Sequence, residues 1–267
     1  MSARLVESPV FILSAVRSGS TLLRCVLDSH SRVHAPHELH LTHLGVRARP
    51  PFADAVLDAL GLSEHEVEHL LWDRILHEQL RRSGKEVIVE KSPTNILDWR
   101  RIAACWPRAR YIFLLRRPEH ILGSMLDAAK GPSGRELRRT GRTEHEHWGS
   151  LASAVADLRP ALRGLVEARA ALPGLTVRYE DLVADPASVT RGICGHLDLP
   201  WEPDMLHYGR HDHGPFKVFL GDMGERIGSG EILTPREHHL PADAAAATEL
   251  QEFHLPLGYQ PAPDHTW

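Results

Sequence analysis

Two stretches of this chain hold residues of the kind that bind anions. The first runs from Val10 to Leu23, V-F-I-L-S-A-V-R-S-G-S-T-L-L, an apolar run that breaks at Arg17-Ser18-Gly19-Ser20-Thr21 and resumes at Leu22 with helical spacing. At the start of a helix the backbone N–H groups have no intrahelical partner and lie at the positive end of the macrodipole. A strand, a loop of small residues and a helix in succession therefore cradle a phosphate ester. Arg17 adds a full charge there. A triphosphate-binding loop reads G-x-x-x-x-G-K-[ST], but Ser14 stands at its first glycine and Ser20 at its lysine. With the cation moved upstream to Arg17, the loop suits one 5′-phosphate and the group attached to it. The second stretch is Arg116-Arg117-Pro118-Glu119-His120-Ile121-Leu122-Gly123-Ser124, which puts serine inside the helix that Pro118 opens. Guanidinium grips phosphate bidentately while a hydroxyl donates from the flank. A ligand held by both stretches carries phosphates at two separated positions.

These residues need elements to position them. Val10 onward, Glu86 to Glu90 (E-V-I-V-E), Arg110 to Leu115 (R-Y-I-F-L-L) and Leu175 to Tyr179 (L-T-V-R-Y) are short β-branched or aromatic runs separated by helical stretches. That order predicts an α/β fold with a mainly parallel sheet covered on both faces. Ligands then bind at the carboxyl ends of the strands, where Arg17, Glu90, Lys91, Arg116, Arg117, Glu180 and Asp181 all fall. A capping box at Ser63-Glu64-His65-Glu66 starts a helix with Leu70, Leu71, Ile75 and Leu76 on one face, ending near Gly84. A long helix is expected from about Leu151 to Leu172, with Pro160 as a kink point, and a short one near Ala242 to Phe253. The polar, basic segment 130–148 reads as a mobile lid. No repeat or linker divides the chain, so one domain over residues 1–267 is expected.

Composition narrows the function classes. The chain has 267 residues, is 42% hydrophobic and carries a net charge of −4, enough for one full α/β core and unsuited to general polyanion binding. Nucleic acid is not an expected partner. Cys25, Cys105 and Cys194 are odd in number and widely spaced, which fits a reduced, cytoplasmic setting, and the 19 histidines show no metal-ligand spacing. No metal is expected. The run from Pro9 to Val16 is too short to span a bilayer, so no membrane association is expected.

Taken together, the motifs resemble the sulfotransferases that use 3′-phosphoadenosine 5′-phosphosulfate (PAPS). In that family a loop [KR]-x-G-[TS]-T-[LW] binds the 5′-phosphosulfate, and an arginine with a serine eight residues on binds the 3′-phosphate; R-S-G-S-T-L from Arg17, then Arg116 and Ser124, match in order. R-S-G-S-T-L-L-R followed by H-A-P-H-E-L-H-L is similar to the sulfotransferase domains of bacterial polyketide and olefin-forming pathways and, more distantly, to protein-tyrosine sulfotransferases. Val89 to Pro93 resembles the E-K-[ST]-P segment of heparan sulfate sulfotransferases, and Val177 to Leu182 with Asp185-Pro186 resembles a widespread R-Y-E-D-L…D-P strand. The resemblance spans roughly residues 9 to 190. The family's R-K-G-x-x-G cofactor segment has no counterpart, and Lys217, Gly221-Asp222, Arg226 and Gly228-Ser229-Gly230 are its nearest substitutes.

The resemblance implies a P-loop-like three-layer α/β/α fold with helical insertions on the acceptor side, and metal-free, in-line transfer of a sulfuryl group, leaving adenosine 3′,5′-bisphosphate (PAP). Arg17 then faces the leaving oxygen; Ser18, Gly19, Ser20, Thr21 and Leu22 donate around it; Arg116 and Ser124 hold the 3′-phosphate; Tyr179, Lys217 and Arg226 complete the cofactor site. Lys91 is the candidate second cation. For the general base, the polyketide and tyrosine enzymes favour Glu38 and the heparan enzymes favour Glu90, with His37 or His30 as further alternatives. Glu38 is preferred because Arg17 to Leu41 tracks that subfamily without a gap. Either carboxylate is expected to have its pKa raised by partial burial. The acceptor is expected to be a hydroxylated small molecule, free or bound to a carrier protein and anionic if Arg135, Arg138, Arg139 and Arg142 of the lid attract it, in bacterial secondary metabolism. The alternative is an ATP-dependent small-molecule kinase with a degenerate P-loop.

Overall fold

The computed structural model describes residues 4–131, 148–214, 225–234 and 249–260. Within them five parallel strands form one sheet: β1 (Val10–Ser14), β2 (Val33–His34), β3 (Val87–Glu90), β4 (Arg110–Leu115) and β5 (Gly174–Arg178), in the order β2-β3-β1-β4-β5. The α-helices of six or more residues among the described residues are α1 (Ser20–Asp28), α2 (Phe52–Leu60), α3 (Glu64–Ser83), α4 (Trp99–Cys105), α5 (Pro118–Lys130), α6 (Leu151–Ala171), α7 (Tyr179–Ala184) and α8 (Pro186–His196).

The strands read as unbroken apolar runs because both sheet faces are covered. Phe11 and Leu13 of β1 join Phe113 and Leu115 of β4 in a core with Trp72, Trp106, Leu122 and Leu158. The alternate residues Val10, Ile12, Ile112 and Leu114 face a second core with Leu23, Val26, Leu182 and Ile193. Each such buried side chain contributes about 1.5–3 kcal/mol from leaving water, so register slips of one residue, which would exchange the two faces, are strongly disfavoured. The observed register pairs Ser14 with Leu114 and Leu115 with Arg178. The loops after β1, β4 and β5 therefore leave the same edge of the sheet side by side.

The expected architecture is present, with all strands parallel. The capping box is formed: Ser63 Oγ accepts from the Glu66 backbone N–H, Glu66 reaches back to Ser63, and Gly84 closes α3 in the left-handed region. The inward face of α3 differs from expectation. Trp72 and Leu76 are buried, whereas Leu70 and Leu71 are each 39% exposed, because the helix docks through the indole rather than the leucine pair. Tyr179 opens α7 instead of ending β5. The α6 helix continues through Pro160. Neither β2, only two residues long, nor α2, which buries no residue, announces itself by periodicity. Residues 132–147, most of the expected lid with its four arginines, and residues 235–248, most of the expected helix near Ala242 to Phe253, lie outside the described residues. No helix among the described residues is long and apolar enough to cross a membrane.

Candidate active site

The loop between β1 and α1 is shaped by two residues with positive φ, Arg17 at 59° and Gly19 at 88°. Gly19 caps α1, and a Cβ there would lie 2.3 Å from Cδ2 of Tyr179. Only glycine permits both the conformation and the approach of the ring. The left-handed turn at Arg17, uncommon for a residue with a side chain, presents its carbonyl to Arg116, whose Nη1 donates to it at 2.8 Å. Arg17 Nε in turn donates to Ser124 Oγ at 3.2 Å. The two candidate anion-binding stretches are thus stitched to each other along one rim.

Arg116 is buried, and its guanidinium lies 4.5 Å from the centroid of the Tyr179 ring. Burial lowers its pKa, the Tyr179 and Glu180 charges oppose that, and the charges of Arg17 and Arg226 reinforce it. Arg226, a substitute named from sequence, therefore acts electrostatically on the rim, while its own Nη2 donates to the Thr234 carbonyl. Ser18 Oγ and Arg116 Nε are buried with no hydrogen-bond partner among the described residues. Such groups cost about 1–3 kcal/mol each when unpaired, and two donors of this kind beside the start of α1 fit a phosphate ester. Ser20 and Thr21 lie in the first turn of α1, and Leu22 packs into the core below them. Lys217 lies outside the described residues.

The other side of the cradle is built around Lys91, which follows β3 and is fully buried. Its Nζ donates to Thr21 Oγ1 at 3.4 Å and forms an ion pair with Glu38 Oε1. Glu38 Oε2 lies 3.3 Å from His40 Nε2. Burial pushes the Glu38 carboxyl up, but the His40 hydrogen bond and the Lys91 ammonium outweigh it, leaving the pKa below its ordinary value. The raised value expected from sequence is not found, because a buried cation is in contact. Glu90 is also fully buried, and Ser92 Oγ (2.7 Å), Asn95 Nδ2 and the Leu39 backbone N–H (3.3 Å) all donate to it. For this carboxyl, burial wins over those bonds and raises the pKa. Ser92 Oγ also accepts from the His40 backbone N–H at 2.9 Å. Glu90 and Ser92 together hold the backbone on the carboxyl side of Glu38.

His30 is buried away from this group, its Nε2 bonded to the Pro200 carbonyl at 2.8 Å. The His37 ring packs on Gly214, where a Cβ would lie 2.6 Å from Nε2. Reading for charged residues alone passes over Ser92, Asn95 and His40. Their spacing from Glu90 and Glu38 is the signal that a carboxylate so flanked is bonded locally.

A sequence model of the Sulfotransferase family matches residues 9–203. Among curated relatives, protein-tyrosine sulfotransferase of Drosophila melanogaster is 24% identical over 236 residues, covering 86% of this chain and 45% of that protein. Nodulation protein NoeE of Sinorhizobium fredii is 29% identical over 287 residues, covering 96% of this chain and 67% of that protein. The chain spans about half the length of the protein-tyrosine sulfotransferases of Drosophila melanogaster, Caenorhabditis elegans and Danio rerio that it matches. The sulfotransferase domain of the curacin biosynthetic pathway superposes with a TM-score of 0.70 at 22% identity, covering 96% of this chain and 99% of that one. The domain of the Synechococcus PCC 7002 olefin synthase gives 0.64 at 22% identity, with 98% and 99% covered. Those two likenesses establish a shared fold. With the family match covering well over half its length, this chain belongs to the Sulfotransferase family.

Proposed function

We propose that the chain transfers a sulfuryl group from PAPS to a hydroxyl of a small-molecule or carrier-bound acceptor. The observation that carries this reading is Lys91, which contacts Thr21 in the phosphate cradle and Glu38 beyond it. One buried cation thereby joins an anion site to a carboxylate able to take a proton. When bound, the cofactor supplies an activated sulfuryl group and departs as PAP.

The chain's own residues have separable tasks. Arg17 and the first turn of α1 hold the 5′-phosphate end and favour negative charge on its oxygens. Ser18 Oγ and Arg116 Nε find partners in the same ligand, with Arg116 and Ser124 on its 3′-phosphate. Lys91 balances charge between the cradle and the acceptor. Glu38 orients the acceptor hydroxyl and removes its proton. The reading assigns Glu90 to holding the 38–40 backbone rather than to proton transfer, since its oxygens accept from Ser92, Asn95 and Leu39. The kinase alternative lacks the P-loop lysine and is not favoured by the family match. The named relatives in curacin and olefin biosynthesis support an acceptor from bacterial secondary metabolism.

Incubation with PAPS labelled in the sulfuryl group and a pool of hydroxylated metabolites and carrier-bound β-hydroxyacyl groups is expected to give labelled product. PAP is expected to raise the melting temperature in EDTA, and ATP with magnesium is not. A shift with ATP–magnesium alone, with label transferred to no acceptor, would overturn the proposal.

A further inference from the structure

Outside the groups so far given a task, one partly buried polar cluster touches the rim of the cradle. Glu180, the second residue of α7, accepts the Arg117 backbone N–H on Oε1 at 3.0 Å. Its Oε2 accepts the hydroxyl of Tyr259 at 3.0 Å, and His120 Nδ1 lies 3.9 Å from Oε1. Tyr259 is buried, with two guanidinium groups over its ring at 5.4 Å (Arg117) and 5.0 Å (Arg178) from the centroid. Two backbone carbonyls beside it accept from the same arginines, Gly258 from Arg178 and Gln260 from Arg117. The clamp spans three parts of the chain: the turn after β4, the end of β5 with the start of α7, and the stretch from Gly258 to Gln260.

The bonded N–H is what gives this arrangement meaning. Arg117 precedes Pro118, the first residue of α5, and its N–H cannot be satisfied within the helix. Its peptide is the one that joins it to Arg116, so fixing that N–H fixes the plane from which the Arg116 side chain departs. Arg116 is then held at its far end by the Arg17 carbonyl and across its face by Tyr179, the residue immediately before Glu180. Neighbouring residues of α7 thus set the two ends of one arginine: Tyr179 its guanidinium, Glu180 its backbone.

We propose that Glu180, braced by Tyr259, is a positioning residue for Arg116, and through it a determinant of selectivity for a ligand bearing a second phosphate. The inference rests on the reading above that Arg116 meets the 3′-phosphate. It predicts a specific pattern: loss of Glu180 weakens the contribution of that one phosphate and leaves the 5′-phosphate site intact. A general loss of structure would weaken both.

Calorimetric titration of the whole chain with PAP and with adenosine 5′-monophosphate reads this directly. The intact protein is expected to bind PAP more tightly, and the ratio of the two affinities measures the second phosphate. Glu180→Ala is expected to cut that ratio roughly tenfold, the weight of one or two hydrogen bonds, with the monophosphate affinity within about twofold of its original value. Glu180→Gln, which keeps an acceptor for the Arg117 N–H, is expected to retain most of the ratio. Tyr259→Phe, which leaves the ring and removes the brace, is expected to fall between them and guards against misfolding of the alanine variant. An unchanged ratio in both Glu180→Ala and Tyr259→Phe overturns the proposal, as does equal weakening of both ligands in Tyr259→Phe. If the intact protein does not distinguish PAP from the monophosphate, the reading of Arg116 itself fails and this inference with it.

Discussion

At the scale of single residues, the contrast between Glu38 and Glu90 decides what the site can do. Both are carboxylates close to Lys91, yet their pKa values are displaced in opposite directions, Glu38 downward through its His40 bond and the Lys91 charge, Glu90 upward through burial. Glu38 is therefore ionised at neutral pH and able to accept a proton. Glu38→Gln is expected to lower kcat by about 100-fold or more, the usual weight of a general base, with PAP affinity unchanged by titration. Because its pKa lies below the ordinary 4.5, the base form is complete above that value and is lost only as pH falls through the lowered one. The acid limb of kcat/KM should accordingly sit below pH 4.5, and Lys91→Met should move it upward. Of this, only the upward shift of Glu90 by burial was expected from the motifs. They named both glutamates, but the direction of each shift depends on which side chains fold against them. Ser92 lies inside an E-K-S-P run read for its charges alone, and Asn95 lies two residues beyond that run.

At the scale of elements, the cradle depends on how closely α7 approaches α1. Gly19→Ala places a methyl group within 2.3 Å of the Tyr179 ring, at a φ of 88° that side chains rarely adopt. It is expected to cost roughly 2–3 kcal/mol in urea unfolding, from strain and overpacking together, and to abolish PAP binding. The α5 helix has a separate tie. His254 Nε2 meets Glu119 Oε2 at 2.8 Å with both side chains buried. The Glu119 bond and charge raise the His254 pKa above 6.5. Burial acts to raise Glu119, but His254 and Arg117 overcome it and hold the carboxyl at about 2. The signs follow separately. The histidine's contribution is complete below 6.5 and lost as pH rises through its raised value, while the glutamate's is complete above 4.5 and lost as pH falls toward 2. The melting temperature should decline as pH rises from 6.5 to 9, and His254→Asn should flatten that decline. A profile of equal slope in the variant would show that the pair carries no pH-dependent stability.

At the scale of the whole molecule, what could be read from sequence followed from where the signals are local. Parallel strands buried on both faces write themselves as apolar runs, so β1, β3, β4 and β5 could be located to within a residue or two, and Arg17, Lys91, Arg116 and Glu180 do follow their carboxyl ends. A strand of two residues such as β2 has no period to detect. The α2 helix buries no side chain against the described residues, with Phe52 82% exposed and Leu60 65%, so no packed face marks it. Long-range bonds were the least legible. Nothing in R-Y-E-D-L indicates that its glutamate accepts from Arg117 and Tyr259, positions 63 and 79 residues away.

The bond between Lys91 and Glu38 also bears on timing. A single ammonium shared between a carboxylate and the cradle couples the two sites thermodynamically: whatever draws it toward Thr21 releases Glu38 and makes it a stronger base. Such coupling is reciprocal. On the proposed reading the free protein keeps Glu38 paired with Lys91, and its basicity grows as the donor site fills, which favours an order of binding with donor before acceptor.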